Sequence, residues 1–289
     1  MKRIGIFPNL SKPDIVQVLD TIVDFSRQEN ISLLFPKERA GELTDLFPHV
    51  SFAYLEESEE VPDAAIAIGG DGTLLETAKR MAPLRVPVCG IHMGTLGFLN
   101  EISRKDLPLV LQRLVRENFS IEDRVLLRSY IEKEDKRVEL PDALNDIVIG
   151  RAELGKMARL NLYINDCFVQ QYPADGLIIS TPTGSTGYNL SSGGPIIHPK
   201  VAVFSVSPVC PHLLQNSPIV LPDTETIAIE AAHHRSELQI CIDGVIGREF
   251  TENSRLVIQK SKDMARFIRF DEQYFYRTVF PKLLGVSHE

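Results

Sequence analysis

Between Ile4 and Ile91 short apolar runs alternate with stretches of helical periodicity, and this limits the first part of the chain to a parallel sheet flanked by helices. Ile4-Gly5-Ile6-Phe7 reads as the first strand. Ser11-Lys12-Pro13-Asp14 then has capping-box spacing with a proline early in the helix, and Ile15, Val18, Leu19, Ile22 and Phe25 recur on one helical face. Ile31 to Phe35 reads as a second strand, ended by Pro36, which cannot donate to a continuing ladder. A helix over Glu38 to Phe47, a short strand near Phe52 to Leu55 and a solvated acidic loop, Glu56 to Glu60, are expected next. The buried strand Ala64 to Ile68 empties into Gly69-Gly70-Asp71-Gly72-Thr73, a helix from Leu74 to Met81, and the strand Val86 to Ile91. Ligands of such sheets bind at the carboxyl ends of strands, where this glycine loop lies.

Three glycines around one carboxylate allow several amides to face an anion at a helix start. Asp71 then either coordinates a cation carried by phosphates or takes a proton from an attacking hydroxyl. The bland reading of the same residues is a tight turn in which Asp71 caps the helix. Downstream, Gly94 to Glu101 is another glycine-containing strand exit, with Phe98 either in the core or lining a ligand cleft.

Around Ser120 helical periodicity fades, and short β-rich runs take over: Val125 to Ile131, Ile147 to Ile149, Leu160 to Ile164, Leu177 to Ser180, Ile227 to Glu230, Leu238 to Ile242 and Leu256 to Ile258. The domains expected are therefore an α/β domain with a mainly parallel sheet over 1–121, a β-rich domain over 122–268, and a tail over 269–289 packing back on the first domain. The tail carries Phe275, Tyr276, Val279, Phe280 and Leu283 at helical spacing. Within the β-rich part, the run Asp175 to Ser180 opens into Thr181-Pro182-Thr183-Gly184-Ser185-Thr186-Gly187-Tyr188-Asn189. Its amides, hydroxyls and aromatic ring suit a nucleotide base and ribose; the alternative is a polar loop joining two strands.

The chain has 289 residues and a net charge of −8, with a pI near 5.5, which argues against nucleic acid or anionic membranes as partners. No apolar run reaches the length of a membrane span and the start lacks a secretory signal, so a cytoplasmic protein is expected. Cys89, Cys167, Cys210 and Cys241 have no metal-binding spacing and read as reduced, mostly buried thiols. The adjacent His233-His234 reads as a strand-end or loop pair.

The ordered set Gly69 to Thr73, Gly94 to Leu99, Asn145-Asp146, Asp175 to Asn189, Gly194 to Pro199, Pro211-His212-Leu213-Leu214 and Asp243-Gly244 closely resembles the NAD kinase family. That resemblance implies transfer of the ATP γ-phosphoryl group to the adenosine 2′-hydroxyl of NAD, with Mg²⁺ or another divalent cation. It makes Asp71 the general base, or a ligand to the Mg²⁺ carried by ATP, and Gly69, Gly70, Gly72 and Thr73 the phosphate loop. It places Asn145 and Asp146 on the ribose and base, Thr186, Gly187, Tyr188 and Asn189 around the adenine, Asp175 toward the nicotinamide end and Phe98 as an apolar wall. It further implies a homodimer or homotetramer.

Departures from the family pattern are Asp146 for a usual Glu, His92-Met93 for Asn-Leu, Gly187 for Ala, and Ser217 and Pro173 at places often cationic. The last two remove positive charge, for which Lys79, Arg80 and Lys156, the last counted among the NAD-binding residues, are the substitutes the sequence offers. Two other functions fit parts of the same pattern: a lipid kinase sharing the glycine-aspartate loop, and a dinucleotide sensor without catalysis.

Overall fold

The computed structural model describes residues 1–48, 50, 52–94, 96–134, 136–152, 157–212, 217–232, 238–251 and 253–283. Lys156, the Leu213-Leu214 pair and His233-His234 lie outside the described residues. The chain divides into two compact units, Met1–Asp123 with Ala265–Glu289, and Arg124–Met264.

The first unit runs β1 (Arg3–Pro8), α1 (Ile15–Glu29), β2 (Ser32–Phe35), α2 (Ala40–Leu46), β3 (Ala53–Tyr54), β4 (Ala64–Gly69), α3 (Asp71–Met81), β5 (Val88–His92), β6 (Ile102–Ser103) and α4 (Leu107–Val115). Its strands stand in the order β3-β2-β1-β4-β5, every adjacent pair parallel, as the alternation predicts. On one face, Ile4 and Ile6 of β1 and Ala64, Ile66 and Ile68 of β4 share a core with Ile15, Val18, Leu19 and Ile22 of α1 and Leu107, Leu111 and Leu114 of α4. The residues between them on β4, Ala65 and Ala67, are small and point to the other face, where α3 lies against β4 and β5.

Local details differ from the sequence reading. The capping box does not form: α1 starts at Ile15, its N-cap Asp14 is in the left-handed region at φ 60° with no side-chain cap bond, and the Asp14 carboxylate pairs with Arg104 instead. The helix expected from Glu38 to Phe47 is a 3₁₀ turn, Lys37–Arg39, followed by the shorter α2. The acidic loop is only partly free in solvent, because Glu56 pairs with Arg80, Glu57 with Lys37 and Glu60 with Arg3.

The second unit takes in most of β7 (Ser120–Lys133), then β8 (Lys136–Glu139), β9 (Asp146–Arg151), β10 (Ala158–Ile164), β11 (Cys167–Ala174), β12 (Gly176–Ser180), α5 (Tyr188–Ser191), β13 (Val203–Val209), β14 (Ile219–Pro222), β15 (Ile227–Ala231), β16 (Leu238–Ile242), β17 (Val245–Phe250) and the first part of β18 (Ser254–Arg269). Antiparallel pairing builds one sheet in the order β14-β13-β12-β9-β16-β17 and a second in the order β11-β10-β15-β18. Ile147, Ile149, Leu177, Ile179, Phe204 and Ile240 of the first share one core with Leu160, Leu162, Ile227, Ile229, Leu256 and Ile258 of the second. This is the two-layer arrangement that alternating strands require. The opposite face of the first sheet carries Asp146, Val148, Gly150, Gly176, Ile178, Ser205 and Ser207, a smaller and more polar set.

Strands β11 and β17 escaped the sequence reading because both are exposed at sheet edges, so neither shows an apolar pattern; Pro173 is tolerated in β11 for the same reason. The chain then re-enters the first unit, with Phe267 beside Val88 of β5 and α6 (Tyr274–Leu283) following. The inner face of α6 is Tyr274, Thr278 and Val279, whereas Tyr276 is exposed. The thiols are mostly not buried: Cys167 and Cys210 are exposed and Cys241 is intermediate, while burial pushes the Cys89 thiol up to about 12.

The Ser129 hydroxyl, on β7, is fully buried and has no hydrogen-bond partner among the described residues. A desolvated, unbonded hydroxyl costs about 1–3 kcal/mol, so Ser129→Ala is expected to raise the thermal unfolding midpoint by a few degrees; a lower midpoint would show that this hydroxyl is bonded.

Candidate active site

In the first unit β4 ends at Gly69 and Asp71 opens α3, where the helix dipole favours a negative charge. A side chain at Gly69 would put its Cβ 2.3 Å from the Thr73 hydroxyl, so the turn requires glycine there. Asp71 does not cap its own helix. Its carboxylate reaches to the segment after β5 and accepts four N–H groups. Oδ2 takes the amides of Phe98 at 2.6 Å and Leu99 at 3.3 Å, and Oδ1 takes the Asn100 amide at 3.2 Å and the Asn100 side-chain Nδ2 at 2.7 Å. A carboxylate has about four acceptor positions, and all are filled. The approach is close enough that a Cβ on Gly97 would lie 2.0 Å from Asp71 Oδ1.

The other side of this segment is held by the returning chain. Lys282 donates to the Gly97 carbonyl, the Arg269 guanidinium to Leu99 O at 3.1 Å, and the Tyr274 hydroxyl to Asn100 O. The Lys282 ammonium lies 4.9 Å from the centre of the Phe98 ring. Burial holds the Lys282 pKa below its ordinary value, with the Asp71 charge opposing that shift, and burial pushes the Tyr274 hydroxyl up to about 12. Arg269 is buried and meets two carboxylates, Glu122 at 2.9 Å and Glu101 at 3.6 Å.

Beside α3 a cleft opens at the carboxyl ends of β1 and β2, lined by Phe7, Pro8, Pro36, Thr73, Thr77 and Arg80 among others. Arg80 is engaged there: it pairs with Glu38 and Glu56 and lies 5.6 Å above the Phe7 ring. Of the cations the sequence offered, Arg80 is thus largely neutralised by its own neighbours.

In the second unit the hairpin tip between β16 and β17 has Asp243 at φ 48° and Gly244 at φ 81°. The Asp243 carboxylate accepts the amides of Leu144 at 3.0 Å, Asn145 at 2.8 Å and Asp146 at 3.1 Å. Carbonyls of the same loop receive Thr181, whose amide meets Asn145 O at 2.9 Å and whose hydroxyl meets Leu144 O at 2.5 Å. A Cβ on Gly184 would lie 2.2 Å from Asn145 O, so glycine lets the two stretches touch. The structure thereby brings Asn145 and Asp146 against the bend that leads to Thr186. Asp146 is only 6% exposed, and burial, reinforced by the Asp243 charge, pushes its carboxyl up to about 7.

Beyond the 3₁₀ turn Gly184–Thr186, α5 presents Tyr188 outward at 48% exposure. Burial first, then the charges of Cys210, Asp175 and Asp146, raise the pKa of the Tyr188 hydroxyl. Asn189 points the other way and is fully buried. Its Nδ2 donates to Ser185 O and Pro195 O, and its Oδ1 accepts the hydroxyls of Ser205 and Ser207. The side-chain amide of Asn189 has therefore spent its bonding capacity inside the protein. Thr186 is half-buried and Gly187 exposed. Asp175 is paired with Arg151 at 2.9 Å, a cation the sequence reading left out.

Also left out were Asn100, Arg269, Tyr274 and Lys282, and no local signal marks them: they become neighbours of Asp71 only through the return of the chain. Among the described residues no cluster of three or more His, Cys, Asp or Glu suited to a metal exists. Every acceptor position of Asp71 is taken by an N–H group, so a contact to the Mg²⁺ of ATP, like one to an acceptor hydroxyl, would require one of them to give way.

Residues 5–119 match the sequence model of the ATP-NAD kinase N-terminal domain and residues 144–270 that of the ATP-NAD kinase C-terminal domain. Similar curated proteins include the NAD kinase of Moorella thermoacetica, 36% identical over 98% of this chain and 89% of its own length. The NAD kinase of Caldanaerobacter subterraneus subsp. tengcongensis is 35% identical over 98% of this chain and 99% of its own. In fold the chain is similar to a yeast NADH kinase complexed with NADH, at TM-score 0.86 and 22% identity, covering 100% of this chain and 89% of that one. It is also similar to an NAD kinase from Archaeoglobus fulgidus in complex with ATP, at TM-score 0.72 and 23% identity, covering 99% and 100%. Matched in both halves and along nearly its whole length, this chain belongs to the NAD kinase family.

Proposed function

We propose that this chain transfers the γ-phosphoryl group of ATP to the adenosine 2′-hydroxyl of NAD, giving NADP, and that Asp71 is the group that receives the hydroxyl proton. The observation that carries the reading is the fixed Asp71 carboxylate at the end of β4, beside a glycine turn, in a chain of this family. A positioned carboxylate assists by orienting the hydroxyl in line with the phosphorus and by accepting its proton. Doing so requires one of its four N–H contacts to give way to the hydroxyl, and the Leu99 amide, at 3.3 Å, is the longest. The amides of Gly69 to Thr73 face the phosphates, and Phe98 supplies the apolar wall.

On the second unit, Asn145 and Asp146 contact the ribose and base, Thr186, Gly187 and Tyr188 surround the adenine, and Asp175 reaches toward the nicotinamide end. Asn189 serves by holding α5 on Ser205 and Ser207. Lys156 is assigned to the NAD-binding residues from the sequence alone. A divalent cation, Mg²⁺, arrives with ATP and neutralises its triphosphate; the residues here orient the acceptor and move its proton. The protein works in the cytoplasm as a homodimer or homotetramer, without nucleic acid or membrane partners. Among the described residues no helix is long and apolar enough to cross a membrane.

Purified protein incubated with ATP, Mg²⁺ and NAD should form NADP, read by a glucose-6-phosphate dehydrogenase cycling assay. In Asp71→Asn, turnover should fall by roughly 10²-fold or more while NAD affinity stays within a few-fold; wild-type turnover in that variant would remove Asp71 from the chemistry. Tyr188→Ala should raise KM for NAD by about 5- to 100-fold, the span of one base stacked on an aromatic ring, and an unchanged KM would move the tyrosine out of the site.

The raised carboxyl of Asp146 gives a pH signature. Folded Asp146 keeps its proton up to about 7 whereas its ordinary value is 3.8, so its contribution to stability is complete below the lower value and is lost as pH rises to the upper one. Asp146→Asn removes that loss. Its thermal midpoint relative to the unmodified protein should therefore climb between pH 5 and pH 8, and a pH-independent difference would contradict the burial.

A further inference from the structure

Two peptide groups of the segment Gly97 to Asn100 carry opposite charges at their two ends. The group joining Gly97 and Phe98 gives its N–H to Asp71 Oδ2 at 2.6 Å and takes the Lys282 ammonium on its carbonyl. The group joining Leu99 and Asn100 gives its N–H to Asp71 Oδ1 at 3.2 Å and takes the Arg269 guanidinium on its carbonyl at 3.1 Å. Each carboxylate oxygen is thus linked to a cation through a single peptide group. The dipole of that group points its positive end at the carboxylate and its negative end at the cation, so each hydrogen bond polarises the other.

The two cations are held differently. Arg269 is buried and fixed by Glu122 and Glu101, so its removal would strand two carboxylates and unfold more than the site. Lys282 sits on the Gly97 carbonyl and against the Phe98 ring, both of which belong to the segment that Asp71 grips. Its position is that of a brace on one peptide rather than of a member of the core.

We infer that Lys282 is a positioning residue for Asp71, fixing the Gly97–Phe98 peptide so that its N–H stays on the carboxylate. It acts through Asp71 and not through the phosphates of the nucleotide. The inference rests on the proposed role of Asp71.

In Lys282→Gln, kcat should drop about 10- to 100-fold, the scale of a misplaced catalytic group, with KM for ATP and NAD within about twofold, and Lys282→Arg should recover most of the loss. In an Asp71→Asn background the same Lys282→Gln change should alter kcat by less than about threefold, since the group it acts through is gone. Amide hydrogen exchange of the free protein should be about tenfold or more faster at Phe98 in Lys282→Gln and unchanged across β1 and β4. A raised KM for ATP with intact kcat would make Lys282 a phosphate ligand and overturn the inference. So would a full additional loss in the double variant, or unaltered exchange at Phe98. Absence of NADP formation by the unmodified protein would instead strike the kinase reading, and the exchange measurement would still decide the role of Lys282.

Discussion

A carboxylate that collects consecutive backbone amides is the interaction on which the first unit's site depends. Asp71 is attached to α3, but its four N–H partners belong to the segment after β5. The bonds therefore lock the glycine turn to a second loop and set the direction of the acid. Asp243 does the same in the second unit, where one side chain takes the amides of Leu144, Asn145 and Asp146. Both loops would otherwise leave buried N–H groups without partners, and each charge-assisted bond is worth more than a neutral one. The same device thus positions the proposed base in one unit and the proposed ribose contacts in the other.

Glycines make these approaches possible at particular places. Gly97 lets the Asp71 carboxylate approach, Gly69 gives way to Thr73, and Gly184 lets the polar bend touch the carbonyl of Asn145. A Cβ at any of the three would lie nearer than 2.5 Å to a neighbouring atom. The glycine content of the two motifs therefore reflects contact within the protein as much as access for phosphate.

Much of the fold was legible because its signals are local. Strand–helix alternation up to Ile91 reports a parallel sheet, and the loss of helical periodicity after Ser120 reports the antiparallel layers. What failed was local competition: Ser11 to Asp14 has the spacing of a capping box, but Asp14 is drawn to Arg104, 90 residues away in sequence. Edge strands such as β17 bury too little to show a pattern. For the candidate site, a carboxylate set among glycines stands out in the sequence as chemistry. Asn100, Arg151 and Lys282 do not, because an isolated Asn, Arg or Lys is an ordinary surface residue until the fold gives it a neighbour. Asn189 shows the converse: a residue noted inside a polar motif proves to be the buried peg of α5.

The C-terminal brace has a consequence for how the chain acquires its site. The carbonyls of Gly97, Leu99 and Asn100 are met by residues 185, 170 and 174 positions later, and the whole second unit, Arg124–Met264, is inserted in between. During synthesis the glycine turn and its acid emerge long before their supports, so the first unit cannot close its own loop while the second is being made. Contacts of such sequence separation carry a loop-closure cost and slow folding. Placing the brace there makes a competent Asp71 the last feature of the unit to form, and a nascent or C-terminally clipped chain would carry the signature motif without a fixed acid.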